Sequence, residues 1–343
     1  MTGNRSRDDQ DVVQRDLVIG VDVGGTTIKA ALFDSDGVEY FRSDWPTPRH
    51  LGPEAVITTT VDAIAGLRAQ APETARVRAV GLVVPGLVDA GQGIAVYAAN
   101  LGWRQLPLRQ IVAEAVGLPV ILDHDVRAAG LAELELGAGR GLREILFVAL
   151  GTGVAAAVIT RGQVAAGATG RAGELGHLPV FPDGEWCACG QRGCTETYAS
   201  AAALSRRYAA ASGSGDVAAE DVISRAASGD PLAGKIFNDA ITALGRALIN
   251  YVLLMDPELI LIGGGMGASG AALLDPLTRA VQAGLAWRPA PAILNGTFAG
   301  DAGRRGAGLL AWHALSEQDR SEGRGQPHQF GARKRIAGRP SAL

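Results

Sequence analysis

Cysteine is scarce in this chain: three residues of 343, all crowded together at Cys187, Cys189 and Cys194. Spacing that tight cannot staple so long a chain, so a disulfide scaffold is excluded and metal ligation becomes the leading reading. Long apolar runs are missing too. No stretch approaches the roughly 20 uninterrupted apolar residues that a membrane-crossing helix needs. Residues 1–15 are polar and acidic where a secretory leader would be apolar. The expected compartment is the cytoplasm, without membrane partners. An excess of one charge is also absent. The formal net charge is -3, with Lys and Arg spread along the body, so nothing marks out a surface for nucleic acid. Small, neutral or metabolite-like partners suit this balance.

What is abundant is apolar bulk and glycine. Apolar residues make up 47% of the chain and charged residues 20%, enough for one large domain or two medium ones with proper cores. The 47 glycines gather at strand ends, as expected where backbone must approach a ligand. Composition predicts disordered tails over residues 1–15 and 317–343. Between them, strands are expected at Leu17–Val23 and Ile28–Phe33, with a turn at Asp34–Gly37 and a third strand from Val38. A helix follows over about Pro53–Ala69, then the β-branched run Val77–Val84. The segment Leu106–Val116 reads as a helix that Gly117 can cap, and Pro119 opens a strand to Asp123. Asp125 thus lies just past a strand's carboxyl end, the rim where ligands bind in open α/β sheets.

The second half echoes the first. Strands Ile145–Leu150 and Val154–Thr160 flank Gly151-Thr152-Gly153, as the first two strands flank Asp22-Val23-Gly24-Gly25-Thr26. This points to a duplicated fold that clamps one anionic ligand between its halves. Helices at Ser200–Ala211, Ala219–Ser228 and Pro231–Met255 lead to a strand, Leu259–Ile262, that enters Gly263-Gly264-Gly265. A last helix is expected over about Arg304–Leu315.

Glycine at 24 and 25 leaves backbone N–H groups and the Thr26 and Thr27 hydroxyls free to face phosphate oxygens, with Asp22 placed to hold Mg²⁺ through water. The pattern is neither a Walker nor a Rossmann loop. Gly263, Gly264 and Gly265 read either as a plain strand-to-helix turn or as backbone packed on an adenine. Asp125 reads as a helix N-cap, as a general base, or as both. His177 with the three cysteines offers one imidazole and three thiolates, a set suited to a closed, structural Zn²⁺ site, and Gly190 and Gly193 supply the turns that such short spacing demands.

The ordered motifs from residue 17 to 315 resemble the ROK family of sugar kinases and regulators, in particular its bacterial glucokinase-like members. Val21-Asp22-Val23-Gly24-Gly25-Thr26-Thr27-Ile28-Lys29 looks like that family's first phosphate loop, and Val84-Pro85-Gly86-Leu87-Val88-Asp89 like its next sugar-facing turn. Asn100-Leu101-Gly102-Trp103 is similar to its sugar-binding segment, and Asp125 falls where the family keeps its catalytic Asp. Glu174-Leu175-Gly176-His177 and the run from Cys187 to Glu196 resemble its paired signature. The resemblance implies an actin-like, ribonuclease-H-like α/β fold of two lobes with a central cleft, often dimeric or tetrameric. The lobes would be residues 16–125 and 126–303, with a zinc loop at 177–196 and a terminal helix, 304–316, returning to the first lobe. It further implies that Asn100, His124, Asp125, Glu174, His177 and Glu196 hold a hexose, His177 binding zinc through its other nitrogen. ATP would lie on Asp22, Gly24, Gly25, Thr26, Thr27, Gly151, Thr152, Gly153, Gly263, Gly264 and Gly265.

Two departures stand out. His124 replaces the Asn that usually precedes the catalytic Asp, and Ala155-Ala156-Ala157 replaces further glycines after Gly153, where methyls could crowd a phosphate. His124 and Thr195 are expected to border the sugar. Glucose is the favoured substrate, with N-acetylmannosamine, N-acetylglucosamine, mannose and fructose open, as is polyphosphate in place of ATP. A repressor is disfavoured, because only about sixteen residues precede the first strand. A sugar-binding protein without turnover is the other alternative.

Overall fold

The computed structural model describes residues 15–213, 215 and 217–322. Most of the two tails expected from composition lies outside the described residues. The chain opens with β1 (Arg15–Val23), β2 (Thr27–Phe33) and β3 (Glu39–Pro46), followed by α1 (Pro53–Ala69) and β4 (Ala75–Val84). Three short strands come next, β5 (Leu87–Asp89), β6 (Ile94–Ala98) and β7 (Trp103–Leu106), then α2 (Leu108–Val116), β8 (Val120–His124) and α3 (Asp125–Glu135). The second half comprises β9 (Ile145–Leu150), β10 (Val154–Thr160), β11 (Gln163–Val164), α4 (Glu196–Ala199), α5 (Ala201–Ser212), α6 (Ala219–Ala227) and α7 (Pro231–Met255). It ends with β12 (Leu259–Gly263), α8 (Ala271–Gly284), β13 (Ala292–Asn295) and α9 (Ala302–Ser321).

The duplication expected from the two Gly/Thr bends is present as topology. One sheet runs β3-β2-β1-β4-β8 and the other β11-β10-β9-β12-β13. In each, the first three strands pair antiparallel and the last two join in parallel. β1 and β4 are nearly continuous apolar runs because both of their faces are covered. The third sheet, β5-β6-β7, went unread in the sequence: its strands are three to five residues long, too short for alternation to register. It also shortens α2. Leu106 pairs with Ala95 in this sheet, and the helix starts after Pro107 instead of at Leu106.

Caps follow the sequence closely. The Ser200 hydroxyl accepts the Ala203 N–H at the start of α5, and Asp230 accepts from Leu232 and Ala233 ahead of Pro231 in α7. The last helix is longer than predicted. α9 continues through residues 317–321, assigned above to the tail, because Leu315 is buried against the first sheet and Arg78 pairs with Asp319 one turn further on.

Layering explains where a ligand can sit. Val56, Ile64 and Leu67 of α1 and Val112 of α2 pack on the outer face of the first sheet, and α5–α8 cover the outer face of the second. α9 and α3 fill the space between the two sheets. That space admits helices only at glycine. A β-carbon on Gly81 of β4 would overlap the Ala307 carbonyl of α9, and one on Gly306 would overlap the Ala128 carbonyl of α3. Among the described residues, no helix is long and apolar enough to cross a membrane.

Gly81→Ala therefore pushes α9 off its sheet. Overpacking of this kind typically costs about 1–3 kcal/mol, so the variant is expected to melt at a lower temperature than a control such as Gly66→Ala, where a β-carbon meets only open space. Equal melting temperatures would refute the close-contact argument.

Candidate active site

β1 and β2 are joined by a bend whose geometry is held locally. Gly24 N–H donates to the Thr27 carbonyl (3.0 Å), and Thr47, arriving from the end of β3, donates its hydroxyl to the Gly24 carbonyl (2.7 Å) and its N–H to the Thr26 carbonyl (2.9 Å). Thr47 was not legible in the sequence, because nothing in Pro46-Thr47-Pro48 announces a brace for a loop twenty residues away. Asn100, in a short turn after β6, approaches Gly25: a β-carbon there would lie 3.6 Å from Asn100 Cβ. The sequence-predicted phosphate bend and sugar-binding Asn are thus neighbours.

Asp125 stands where β8 gives way to α3. His124 is the N-cap: its Nδ1 lies 3.2 Å from the Val126 N–H and 3.2 Å from Asp125 Oδ1. Asp125 Oδ1 accepts the same N–H at 2.7 Å, but Asp125 is the first residue of α3, so the cap expected at Asp125 falls one residue earlier, on His124. Asp22 at the end of β1 interacts with Asp125 across the sheet rim. Asp22 keeps some surface open, yet it is crowded by protein: the absence of a side chain at Gly303, in the first turn of α9, makes room for its carboxylate. That burial, ahead of repulsion from Asp125, raises the Asp22 carboxyl to about 7, against the attraction of Lys29 and Arg304.

The second half supplies a matching group. Gly173 and Gly176 bracket Glu174, and Glu174 Oε2 lies 4.0 Å from His177 Nε2. Glu196, the first residue of α4, accepts the Val154 N–H at 2.8 Å and fills the space that a side chain at Gly153 would take. Glu196 therefore braces the Gly151-Thr152-Gly153 bend. Ala156 and Ala157 are buried inside β10, Ala157 against Gly130 of α3, so those two methyls belong to the core and do not crowd the bend. Thr195 departs from expectation. It is fully buried and donates its hydroxyl to the Leu178 carbonyl (3.2 Å), so it secures the loop and does not border a sugar. Of the three glycines at the end of β12, Gly263 and Gly264 are required by Phe147 and the Leu150 backbone, and Gly265 faces open space.

His177, Cys187, Cys189 and Cys194 converge, their four ligand atoms all within 4.8 Å of one another. His177 Nδ1 to Cys187 Sγ and Cys189 Sγ to Cys194 Sγ are both 3.7 Å. A tetrahedral zinc with Zn–S near 2.3 Å and Zn–N near 2.0 Å would separate its ligands by about 3.5–3.8 Å, so the set fits. Gly190 and Gly193 turn the loop with positive φ, as the spacing required. Burial, then the neighbouring thiols, push Cys194 up to about 12, so three thiolates here call for a bound cation. His177 Nδ1 faces the thiols while Nε2 points toward Glu174.

The Asp22 shift has a testable sign. Its folded-state affinity for a proton exceeds that of the unfolded chain, so the stability it contributes is full below its ordinary value of 3.8 and is lost as pH rises to about 7. Free of Mg²⁺ and nucleotide, the protein is expected to lose melting temperature across that window, and Asp22→Asn to flatten the loss. An unchanged slope in the variant would refute the assignment.

The comparisons with known proteins agree with this geometry. Residues 18–314 match the ROK family. The glucokinase of Halalkalibacterium halodurans is 34% identical over 315 residues, 85% of this chain and 94% of the relative. The N-acetylmannosamine kinase of Shigella flexneri is 31% identical over 301 residues, 86% of this chain and 98% of the relative. A solved ROK family glucokinase from Streptomyces griseus, in complex with glucose and AMPPNP, superposes with a TM-score of 0.77 at 34% identity, covering 87% of this chain and 99% of that one. Two like-ordered sheets, the carboxylates at their rims and a match over nearly the whole described chain place this protein in the ROK family, with its actin-like, ribonuclease-H-like two-lobed fold.

Proposed function

We propose that this protein transfers the γ-phosphoryl group of ATP to the primary hydroxyl of a hexose, glucose above the others. The observation that carries the reading is the Gly25–Asn100 contact, which brings the glycine bend against the expected sugar segment, with Asp22 and Asp125 at the same sheet rim, near enough for the charge of one to disfavour ionisation of the other. One carboxylate is placed to take a hydroxyl proton and the other to stand near phosphate, the arrangement that in-line phosphoryl transfer needs. The glucokinase relatives support glucose; the N-acetylmannosamine kinase relative keeps an amino sugar as the alternative.

In this reading Asp125 Oδ1 is held by the Val126 N–H, and its second oxygen accepts the proton of the attacking hydroxyl. Asn100, Glu174, His177 and Glu196 orient the ring, each carboxylate able to accept two hydroxyl hydrogen bonds. His124 presents an imidazole where an Asn would offer an amide, so that contact to the ring changes in shape and chemistry. The bend at Gly24, Gly25, Thr26 and Thr27 and that at Gly151, Thr152 and Gly153 hold the phosphates, and Gly265 lies open for the nucleoside beside Gly263 and Gly264. Mg²⁺, held by Asp22 through water, would neutralise phosphate charge. Zn²⁺ on His177, Cys187, Cys189 and Cys194 would fix the loop and the direction of His177 Nε2, without an open position for water. Residues 16–125 and 126–303 form the lobes, with the terminal helix on the first. The same reading makes the protein cytoplasmic, a homodimer or homotetramer, and free of nucleic-acid and membrane partners.

Release of ADP measured with ATP and Mg²⁺ across glucose, N-acetylmannosamine, N-acetylglucosamine, mannose and fructose tests the function. Turnover is expected, fastest with glucose; sugar binding without ADP release would establish a non-catalytic binder instead. Asp125→Asn keeps the shape and removes the base, with an expected loss of about 10²- to 10⁴-fold in kcat, and equal turnover would reject the role. Exhaustive removal of metal is expected to lower the melting temperature and abolish glucose binding by calorimetry. Normal binding by metal-free protein would show that the ion is dispensable.

A further inference from the structure

Arg127 is a buried cation that none of the roles above uses. It sits in the first turn of α3, two residues beyond Asp125, with only 5% of its surface exposed. Taking a guanidinium out of water is costly unless its donors are met, and here each arm of the fork is engaged. Nε donates to Asp123 Oδ1 at 2.9 Å, and Nη2 donates to the same oxygen. Nη1 donates to the Gly170 carbonyl at 2.8 Å, forty-three residues away in the loop that precedes Glu174.

Both ends of this bridge lead to the site. Asp123 Oδ1 also accepts the His124 N–H at 2.6 Å, so the guanidinium and the backbone of the base-bearing junction share one carboxylate oxygen. At the other end, Gly170 has a φ of +72° and lies close to the Val88 carbonyl of β5, so the loop is wedged between α3 and the small sheet. Three residues on, the Gly173 carbonyl accepts the Ala156 N–H of β10 at 2.8 Å. The segment from 170 to 173 is therefore tied to α3 at one end and to the second sheet at the other, and Glu174 follows directly.

We propose that Arg127 is a positioning residue: through Asp123 and the Gly170 carbonyl it sets where the loop bearing Glu174 and His177 lies relative to Asp125. This rests on the kinase reading for its effect on sugar, but the contact itself does not. A lysine has the charge to pair with Asp123 but no second arm for Gly170, so Arg127→Lys separates the ion pair from the bridge. Arg127→Met removes both.

The experiment compares wild type, Arg127→Lys and Arg127→Met by melting temperature, steady-state kinetics and hydrogen exchange of the 165–174 amides. Arg127→Lys is expected to fold with a lowered melting temperature, to exchange faster in that loop, and to raise the hexose KM about ten- to hundredfold with the ATP KM unchanged, the scale of losing one hydrogen bond to a charged group. If Arg127→Met does not fold, the lysine variant still decides. Unchanged loop exchange and hexose KM in folded Arg127→Lys would overturn the proposal. Absence of kinase activity in wild type would overturn the kinase reading instead, and loop exchange would still judge the bridge.

Discussion

Everything in the site hangs on backbone touching backbone. The Ala307 carbonyl of α9 rests on Gly81 of β4, and the Ala128 carbonyl of α3 rests on Gly306 of α9, at distances that exclude any β-carbon. Close packing of this kind transmits displacement, since there is no side chain to yield. It brings the first turns of α3 and α9 to the rim of the first sheet. α3 carries Asp125 there, and α9 brings Gly303 against the Asp22 carboxylate.

The electrostatics follow from that crowding. Two carboxylates share a rim from which water is partly excluded, and the nearby cations Lys29 and Arg304 do not fully compensate, so Asp22 holds its proton far above the ordinary carboxylate range. Arg304 is itself committed to Asp301 and Asp44, and Lys29 donates to the Gly300 carbonyl at 2.6 Å. A site with unspent negative charge beside a glycine bend suits a divalent cation accompanied by phosphate better than a bare anion. In the second half the logic is reversed: three thiols and an imidazole crowd together, and a cation relieves the cost of ionising them.

Arg127 joins the end of β8, next to Asp125, to the loop that leads to Glu174. Asp123 and Arg127 lie four residues apart, on either side of the junction between β8 and α3. Buried between β8 and the loop at Gly170, the same pair becomes a tie between the halves. Thr195 shows the opposite change. A residue beside the sugar signature in sequence turns out to be spent on the Leu178 carbonyl inside the loop.

The sequence by itself determined the features that depend on local chemistry. The apolar runs at Leu17–Val23 and Ile145–Leu150 and the Cys₃His set with its turning glycines act within a few residues of themselves, so spacing alone reveals them. Tertiary structure decided the rest. Strands β5–β7 are too short to show a period, Leu106 exchanged helix for sheet when Ala95 became its partner, and residues 317–321 stayed helical because Leu315 and Asp319 found the first sheet. The bracing of Gly24 by Thr47, the burial of Ala156 and Ala157 and the reach of Arg127 to Gly170 likewise join residues far apart along the chain. Such contacts leave no periodic trace in a linear pattern, because their energy arises only once two distant surfaces have been brought together and dried.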